Sequence, residues 1–335
     1  MRAHHLETKV KMGGSQSRLD PRILDSSSNY WPELELEKQI SVFTYDENKP
    51  EVKVLVRGDT VSADQLLKKV AKALDMKMVG MKNFGIFEGL HTPIKKFKCS
   101  DKVKTSSKGL SLQKWCFDLR KEKKEIVKDP VALYLTCLQA RSQIMQGILT
   151  PTPEQMAKLE DHNEPAFLDS TSYLSVCHCM EDYMTAYIKH CELKKELCIG
   201  SLKLPVGAVF SIRANKRGMR LQAEHKEYFI SWRKMKRWTR AEDDLYVTYD
   251  LYSCTHDTYS TLSIETPQAP YLVAVTIEMI KTLQGEMDGV IFQTSDLKMD
   301  ENGEVVEWNN ITFDPGQFKA ETEAGNKYID LSTLT

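Results

Sequence analysis

The chain is 335 residues long, 41% hydrophobic and 28% charged, with a formal net charge of −1. That apolar content suffices for two or three domains with cores of their own. The near-zero charge excludes a general nucleic-acid binder, so any basic function must be local, and the apolar runs are far too short to span a bilayer.

The N-terminal segment, residues 1–35, is polar and reads as disordered. Within it Met12-Gly13-Gly14-Ser15-Gln16-Ser17 fits the N-myristoylation pattern, with Gly13 as acceptor, only if translation starts at Met12. One acyl chain binds membranes marginally, so a second signal would be required. No leading apolar run resembles a secretion signal, and eight cysteines (99, 116, 137, 177, 179, 191, 198, 254) lie scattered in apolar runs. The expectation is a soluble, reduced, intracellular protein with buried free thiols.

From 36 to 119 the pattern is short strands around one helix. Gln39–Tyr45 and Val52–Val56 read as a hairpin turning at Asn48, Lys49 and Pro50. Ser62 offers an N-cap to a helix over Ala63–Leu74, apolar at Leu66, Leu67, Val70 and Leu74. Phe84–Phe87 and Leu110–Phe117 supply further strands, in the order of a ubiquitin-like roll.

Residues 128–191 read as all-helical. Pro130 opens a helix that Gly147 stops, Pro153 starts a second, and Asp169 or Ser170 caps a third running to about His190. From 192 to 284 strands return: Glu196–Leu202, Ala208–Ala214, Met219–Gln222, Ile230–Thr239, Leu245–Tyr252 and Tyr259–Ile264. Pro267 and Pro270 then open a helix at Tyr271. Its stripe Leu272, Val275, Thr276, Met279 and Leu283 suits packing on a sheet, with Val273, Ile277 and Ile280 beside it. This extra width implies a second contact, either a groove beside an edge strand or a neighbouring lobe. Residues 285–335 read as an acidic, flexible tail.

Motifs for phosphate loops, dinucleotide binding, zinc proteases and hydrolase nucleophiles are absent. Cys177-His178-Cys179 with His190-Cys191 and Cys198 is the best metal candidate, but three successive helical residues point to different faces. The expectation is no enzyme, no cofactor and no metal.

The order of roll, helical lobe and strand-rich lobe closed by a helix resembles a FERM domain over about Leu36–Gln284. Leu112-Gln113-Lys114-Trp115-Cys116-Phe117 followed by Tyr134–Gly147 looks like the junction of its first two lobes. Lys236-Arg237-Trp238, Thr266-Pro267 and Ile188-Lys189-His190-Cys191 are similar to the FERM-like modules of the endosomal sorting nexins 17, 27 and 31. Those proteins carry a phosphoinositide-binding PX domain ahead of this part. The residues before Leu36 are too few and too polar to fold one.

The resemblance implies a three-lobed α+β fold: a ubiquitin-like roll, a lobe like acyl-CoA-binding protein, and a PH/PTB-like sandwich capped by the last helix. It also implies an adaptor that takes N-P-x-[YF] motifs in cytoplasmic tails of membrane proteins, by strand addition to the third lobe. Its place would be cytoplasmic, peripheral to endosomal or plasma membrane, in protein transport. The edge strand maps to Ile230, Trp232, Met235, Lys236, Arg237 and Trp238, and the facing wall to Val273, Ile277 and Ile280. Trp238 is either the groove tryptophan or plain core. Arg213, Lys216 and Arg217 at a turn, with Arg233, Lys234 and Arg240, are candidates for phosphoinositide head groups or a solvated charged face. The alternative is a membrane–cytoskeleton linker working through these basic clusters, although no actin-binding tail is identifiable. Finally, Trp308–Phe313 contains N-x-x-F without the proline and could occupy the groove in cis.

Overall fold

Strict alternation builds the first hairpin. The structure, a computed structural model, describes residues 37–164, 167–199, 202–223, 226–240, 245–253, 258–286, 297–299 and 305–308. The chain divides into Met1–Leu36 and Glu37–Thr335, and all described residues belong to the second unit. Gly13 therefore lies outside them.

Strands β1 (Glu37–Phe43) and β2 (Glu51–Arg57) pair antiparallel with Ile40 opposite Val54 and Val42 opposite Val52, all four buried. Period-2 patterning thus sends one face inward, leaving Leu55 exposed on the other. β3 (Thr60–Ser62) leads into helix α1 (Ala63–Ala73), where Ser62 accepts from the backbone N–H of Gln65 at 3.2 Å. Leu66 and Val70 of α1 are wholly buried. After the short α2 (Met78–Met81) come β4 (Phe84–Glu88), β5 (Lys95–Lys96), β6 (Lys102–Lys104) and β7 (Leu110–Lys114). The five-stranded sheet runs β2-β1-β7-β4-β5, with β1 parallel to β7 and β3 paired with β6 apart from it.

The helical region follows as α3 (Leu119–Glu125), α4 (Pro130–Met145), α5 (Pro153–Asp161) and α6 (Ser170–Cys177). Buried Asp129 caps α4, accepting from Val131 N–H at 3.1 Å, and its other oxygen accepts from Lys77 N–H at 2.7 Å. Gly80 is needed there, because a Cβ would sit 2.2 Å from that carboxylate. Thr152 and Gln155 form a capping box on α5. Glu122 of α3, only 1% exposed, accepts from Lys114 Nζ (2.6 Å) and Tyr183 Oη (2.6 Å) and bonds His178 Nε2 (2.9 Å). This node ties β7 to α3 and to the segment after α6. Burial alone would raise the Glu122 pKa, but the Lys114 charge and the hydrogen bonds outweigh it and bring it down to about 2.

The third helix ends at Cys177, not near His190. After the pairs β8 (Asn163–Glu164) and β9 (Phe167–Leu168) and the helix α6, residues Ala186–Leu193 form strand β10, so the second sheet begins before the expected boundary at 192. The reason is a bulge. The register of β10 on its partner shifts between Ile188 and Cys191, and His190 has φ of 53°. Ile188 and Cys191, three apart, both face the core, which imitates helical spacing.

The second sheet adds the hairpin β11 (Leu197–Ile199) and β12 (Leu202–Leu204), then β13 (Val209–Asn215), β14 (Gly218–Ala223), β15 (Lys226–Ser231), β16 (Met235–Arg240), β17 (Tyr246–Ser253) and β18 (Thr258–Glu265). Its order is β15-β14-β13-β10-β18-β17-β16. β10 meets β18 only through Glu192 and Leu193, so two antiparallel halves join at a narrow hinge of backbone pairing. Helix α7 (Ala269–Glu286) closes the core between them with Leu272, Val275 and Met279, each fully buried. A last hairpin, β19 (Leu297–Met299) and β20 (Val305–Trp308), follows. Among the described cysteines Cys116, Cys137, Cys177 and Cys191 are buried, but Cys99, Cys179 and Cys198 are exposed, against the expectation that all are interior.

Candidate peptide-docking edge

The expected edge strand Ile230–Thr239 is two elements. β15 stops at Ser231, and a 3-10 turn covers Trp232–Lys234. Ser231 Oγ accepts from Arg233 N–H at 3.3 Å, which starts the turn. Trp232 is 1% exposed, and its indole N–H donates to the Asn215 carbonyl at 2.6 Å. Ile230 pairs with Met219 on β14. Ile230 therefore belongs to the opposite margin of the sheet, and Trp232 to the turn that joins β15 to β16.

β16 itself is the terminal strand, hydrogen-bonded to β17 and, among the described residues, to no second strand. Its register shifts between Met235 and Arg237, making Lys236 the extra residue. Met235 and Trp238, three apart, are thus both inward, at 1% and 2% exposure. The reading of Trp238 as a groove anchor open to a ligand does not fit this burial; its other reading, as core, does. Trp238 stands opposite Tyr249, whose hydroxyl meets Thr276 Oγ1 of α7 at 2.9 Å. The indole N–H of Trp238 is buried without a hydrogen-bond partner, which typically costs about 1–3 kcal/mol.

Helix α7 lies against β13, β17 and β16 on the sheet and against β5 of the first sheet. At its start Tyr271 N–H donates to the Ile94 carbonyl (3.1 Å) and Gln268 Nε2 to the Pro93 carbonyl (2.8 Å). Gln268 Oε1 also accepts from Lys189 N–H (2.7 Å), filling the β10 bulge. The Tyr271 ring meets Phe87 and Trp115. The contact with the first sheet is therefore made on the Tyr271 side of α7, not by the residues for which a neighbouring lobe is the alternative. By helical spacing Val273, Ile277 and Ile280 lie on the side away from Tyr271. Val273 and Ile280 are buried, whereas Ile277 is half-buried. Most of the apolar side chains assigned to a pocket are core. Beyond β17 the main-chain edge of β16 has no ladder partner among the described residues, near exposed Thr239 and half-buried Arg240. The expected N-x-x-F motif, Asn310–Phe313, lies outside the described residues.

The basic residues divide into two groups. Arg213 is paired with Asp182 and donates to the Ile148 carbonyl at 3.0 Å. Arg220, opposite it on β14, also reaches Asp182, as well as Glu181 (3.1 Å) and Glu227 (3.4 Å). Arg213 is therefore a clasp between β13 and the helical region, and not a head-group ligand. Asp182, which no local sequence signal marks, pairs with both arginines, and only the tertiary fold brings it there. Lys216 and Arg217 sit on the β13–β14 turn, and the Trp232–Asn215 bond brings the Arg233–Lys234 turn beside them. Two clusters apart in sequence thus meet at one end of the sheet, with Arg217 and Lys234 exposed. Of the metal candidates, His178 bonds Glu122, and burial pushes the Cys177 and Cys191 thiols up to about 12. Among the described helices none is long and apolar enough to cross a membrane.

No family model and no curated protein matches the chain. Among solved structures it is similar to the FERM and C-terminal domain complex of Drosophila Merlin, at 10% identity and a TM-score of 0.50, over 74% of this chain and 96% of that one. At that identity the likeness speaks for architecture alone: the chain has a FERM-like α+β fold.

Proposed function

We propose that the chain is a non-catalytic adaptor of the FERM type, whose first sheet, helical region and second sheet correspond to the three FERM lobes. Its docking site is the outer edge of β16, where an extended N-P-x-[YF] segment of a membrane protein's cytoplasmic tail adds a strand. The observation that carries this reading is the position of β16, last in its sheet and flanked by α7. An unpaired edge offers main-chain donors and acceptors to a second chain. The buried Met235 and Trp238 form the floor that holds the strand, and Ile277 and Arg240 meet the guest. A role like that of the sorting nexins, carrying cargo at endosomes, belongs to the same reading.

A second reading, attachment to an anionic lipid surface, draws on the meeting of Lys216, Arg217, Arg233 and Lys234. The Arg233–Lys234 turn leads directly into β16, so this second site adjoins the first. Calorimetric titration of the protein with N-P-x-[YF] peptides tests the first. Ile277→Asp should weaken binding at least tenfold while leaving vesicle binding unchanged. Peptides that bind wild type and Ile277→Asp equally would place the site elsewhere.

A further inference from the structure

The two sheets and the helical region meet around a polar cavity of about 50 Å³. β7 and the loop between β4 and β5 supply one wall, α4 a second, and Tyr183–Lys189 with Gln268 and Tyr271 at the start of α7 the third. Among the described residues its lining holds five glutamines and the basic residues His91, Lys114 and Lys189, and no aspartate or glutamate. We infer that this cavity is a binding site for a small oxyanion, a phosphate or a short carboxylate, held by Thr185, Lys189 and the amide nitrogen of Gln139. It shares no residue with the proposed peptide site and does not rest on that reading.

Thr185 is 9% exposed and lines the cavity, and its hydroxyl is buried with no hydrogen-bond partner in the protein. Burying such a group is unfavourable unless something inside the cavity meets it. Thr185, Tyr187 and Lys189 alternate along one side of the chain as it enters β10, opposite the wholly buried Ile188. Lys189 Nζ lies 5.6 Å from the centre of the Tyr187 ring and has no carboxylate partner among the described residues, whereas Lys114 Nζ is taken by Glu122. The glutamines are not equivalent. Gln268 uses both ends of its carboxamide, on Lys189 N–H (2.7 Å) and on the Pro93 carbonyl (2.8 Å). Gln139 spends its oxygen on Lys114 N–H at 2.7 Å; a backbone donor fixes that assignment, so the end left for a ligand is the amide nitrogen. A hydroxyl, an amide and an ammonium are thus presented together as donors, the set that an anion takes. The carboxylates bonded beside this wall are engaged already, Glu122 by Lys114 and Tyr183, and Asp182 by Arg213 and Arg220. Size sets the class. A cavity of about 50 Å³ has room for roughly two to four waters, which matches phosphate or a short carboxylate and not an inositol ring with several phosphates.

The test is thermal denaturation and calorimetric titration of the full chain with sodium phosphate and with sodium acetate, against sodium chloride at equal ionic strength. The inference expects a saturable heat, and a midpoint raised by about 2–5 °C at roughly tenfold excess over Kd, from at least one oxyanion and not from chloride. Which of the two binds tells a tetrahedral ligand from a planar one. Thr185→Val keeps the volume and Lys189→Met keeps the apolar stem; each should weaken the oxyanion about tenfold or more. Without added anion Thr185→Val should unfold no earlier than wild type, so that a lost response is not a lost fold. An equal response in wild type and both variants, the same rise from chloride, or no response to either oxyanion, as waters alone would give, would each overturn the inference. Inositol trisphosphate exceeds the cavity, so any binding of it should survive Thr185→Val; its loss there would overturn the assignment to a small anion.

Discussion

The second sheet ends in two edge strands that differ in what lies beyond them. Outer strand β15 pairs regularly with β14, and its exposed Phe229 ring covers Gly218 on the neighbouring strand, where a Cβ would come 2.8 Å from the ring. Glu227 reaches back to Arg220. That margin is finished by its own side chains. β16 is irregular, basic in sequence, flanked by α7 and approached by β20. Each margin also has a fully buried tryptophan, and here the contrast is sharpest. Trp232 by β15 spends its indole N–H on Asn215, whereas that of Trp238 on β16 has no partner. The two margins thus differ in how regularly the strand pairs and in whether the buried indole has a partner.

The largest predicted effect lies away from both edges and calibrates them. Glu122→Gln removes the negative charge and one of the two accepting oxygens of the buried node, leaving Lys114 without its counter-charge, and should cost about 3–5 kcal/mol at pH 7 by thermal or urea denaturation. Because the folded pKa is depressed to about 2, the stabilisation is present above the ordinary carboxylate range and is lost as pH falls towards 2. The difference between wild type and variant should therefore shrink on acidification. Any drop at either edge can be read against it.

Next comes the tryptophan pair. Trp232→Phe and Trp238→Phe remove similar volume, but the first strands a carbonyl and the second deletes an unpaired N–H. Trp232→Phe should cost roughly 1–3 kcal/mol more than Trp238→Phe. Equal losses would mean that the two margins are alike. Smallest is Phe229→Ala, which uncovers Gly218 and should cost about 0.2–1 kcal/mol, with no change in peptide affinity. A change in affinity would move the site to β15.

Where one residue type alternates with another, the sequence was easy to read. Ile40, Val42, Val52 and Val54 predict the first hairpin, and Ser62, Pro153 and the pair Asp169/Ser170 predict three helix starts, with Thr152 and Asp169 the caps observed for the last two. The two bulges defeated the same logic. At Ile188/Cys191 and Met235/Trp238 an inserted residue turns period two into spacing three, so the strand at Ile188 reads as helix, while the turn over Trp232–Lys234 carries no sequence signal that splits the edge from β15. The position of the candidate edge before α7 was legible, but its burial was not. Trp, Met and Arg suit either a core or an interface, and nothing local separates them. Nor could the neutralisation of Arg213 be read, because Asp182 reaches it from an element distant in sequence.

The most direct test of strand addition is backbone amide exchange on the chain ending at Glu286, with and without saturating N-P-x-Y peptide. The account predicts new protection on β16 and on the Ile277 side of α7, with β15 unchanged. Protection on β15, or on neither edge while the peptide remains bound, would contradict it.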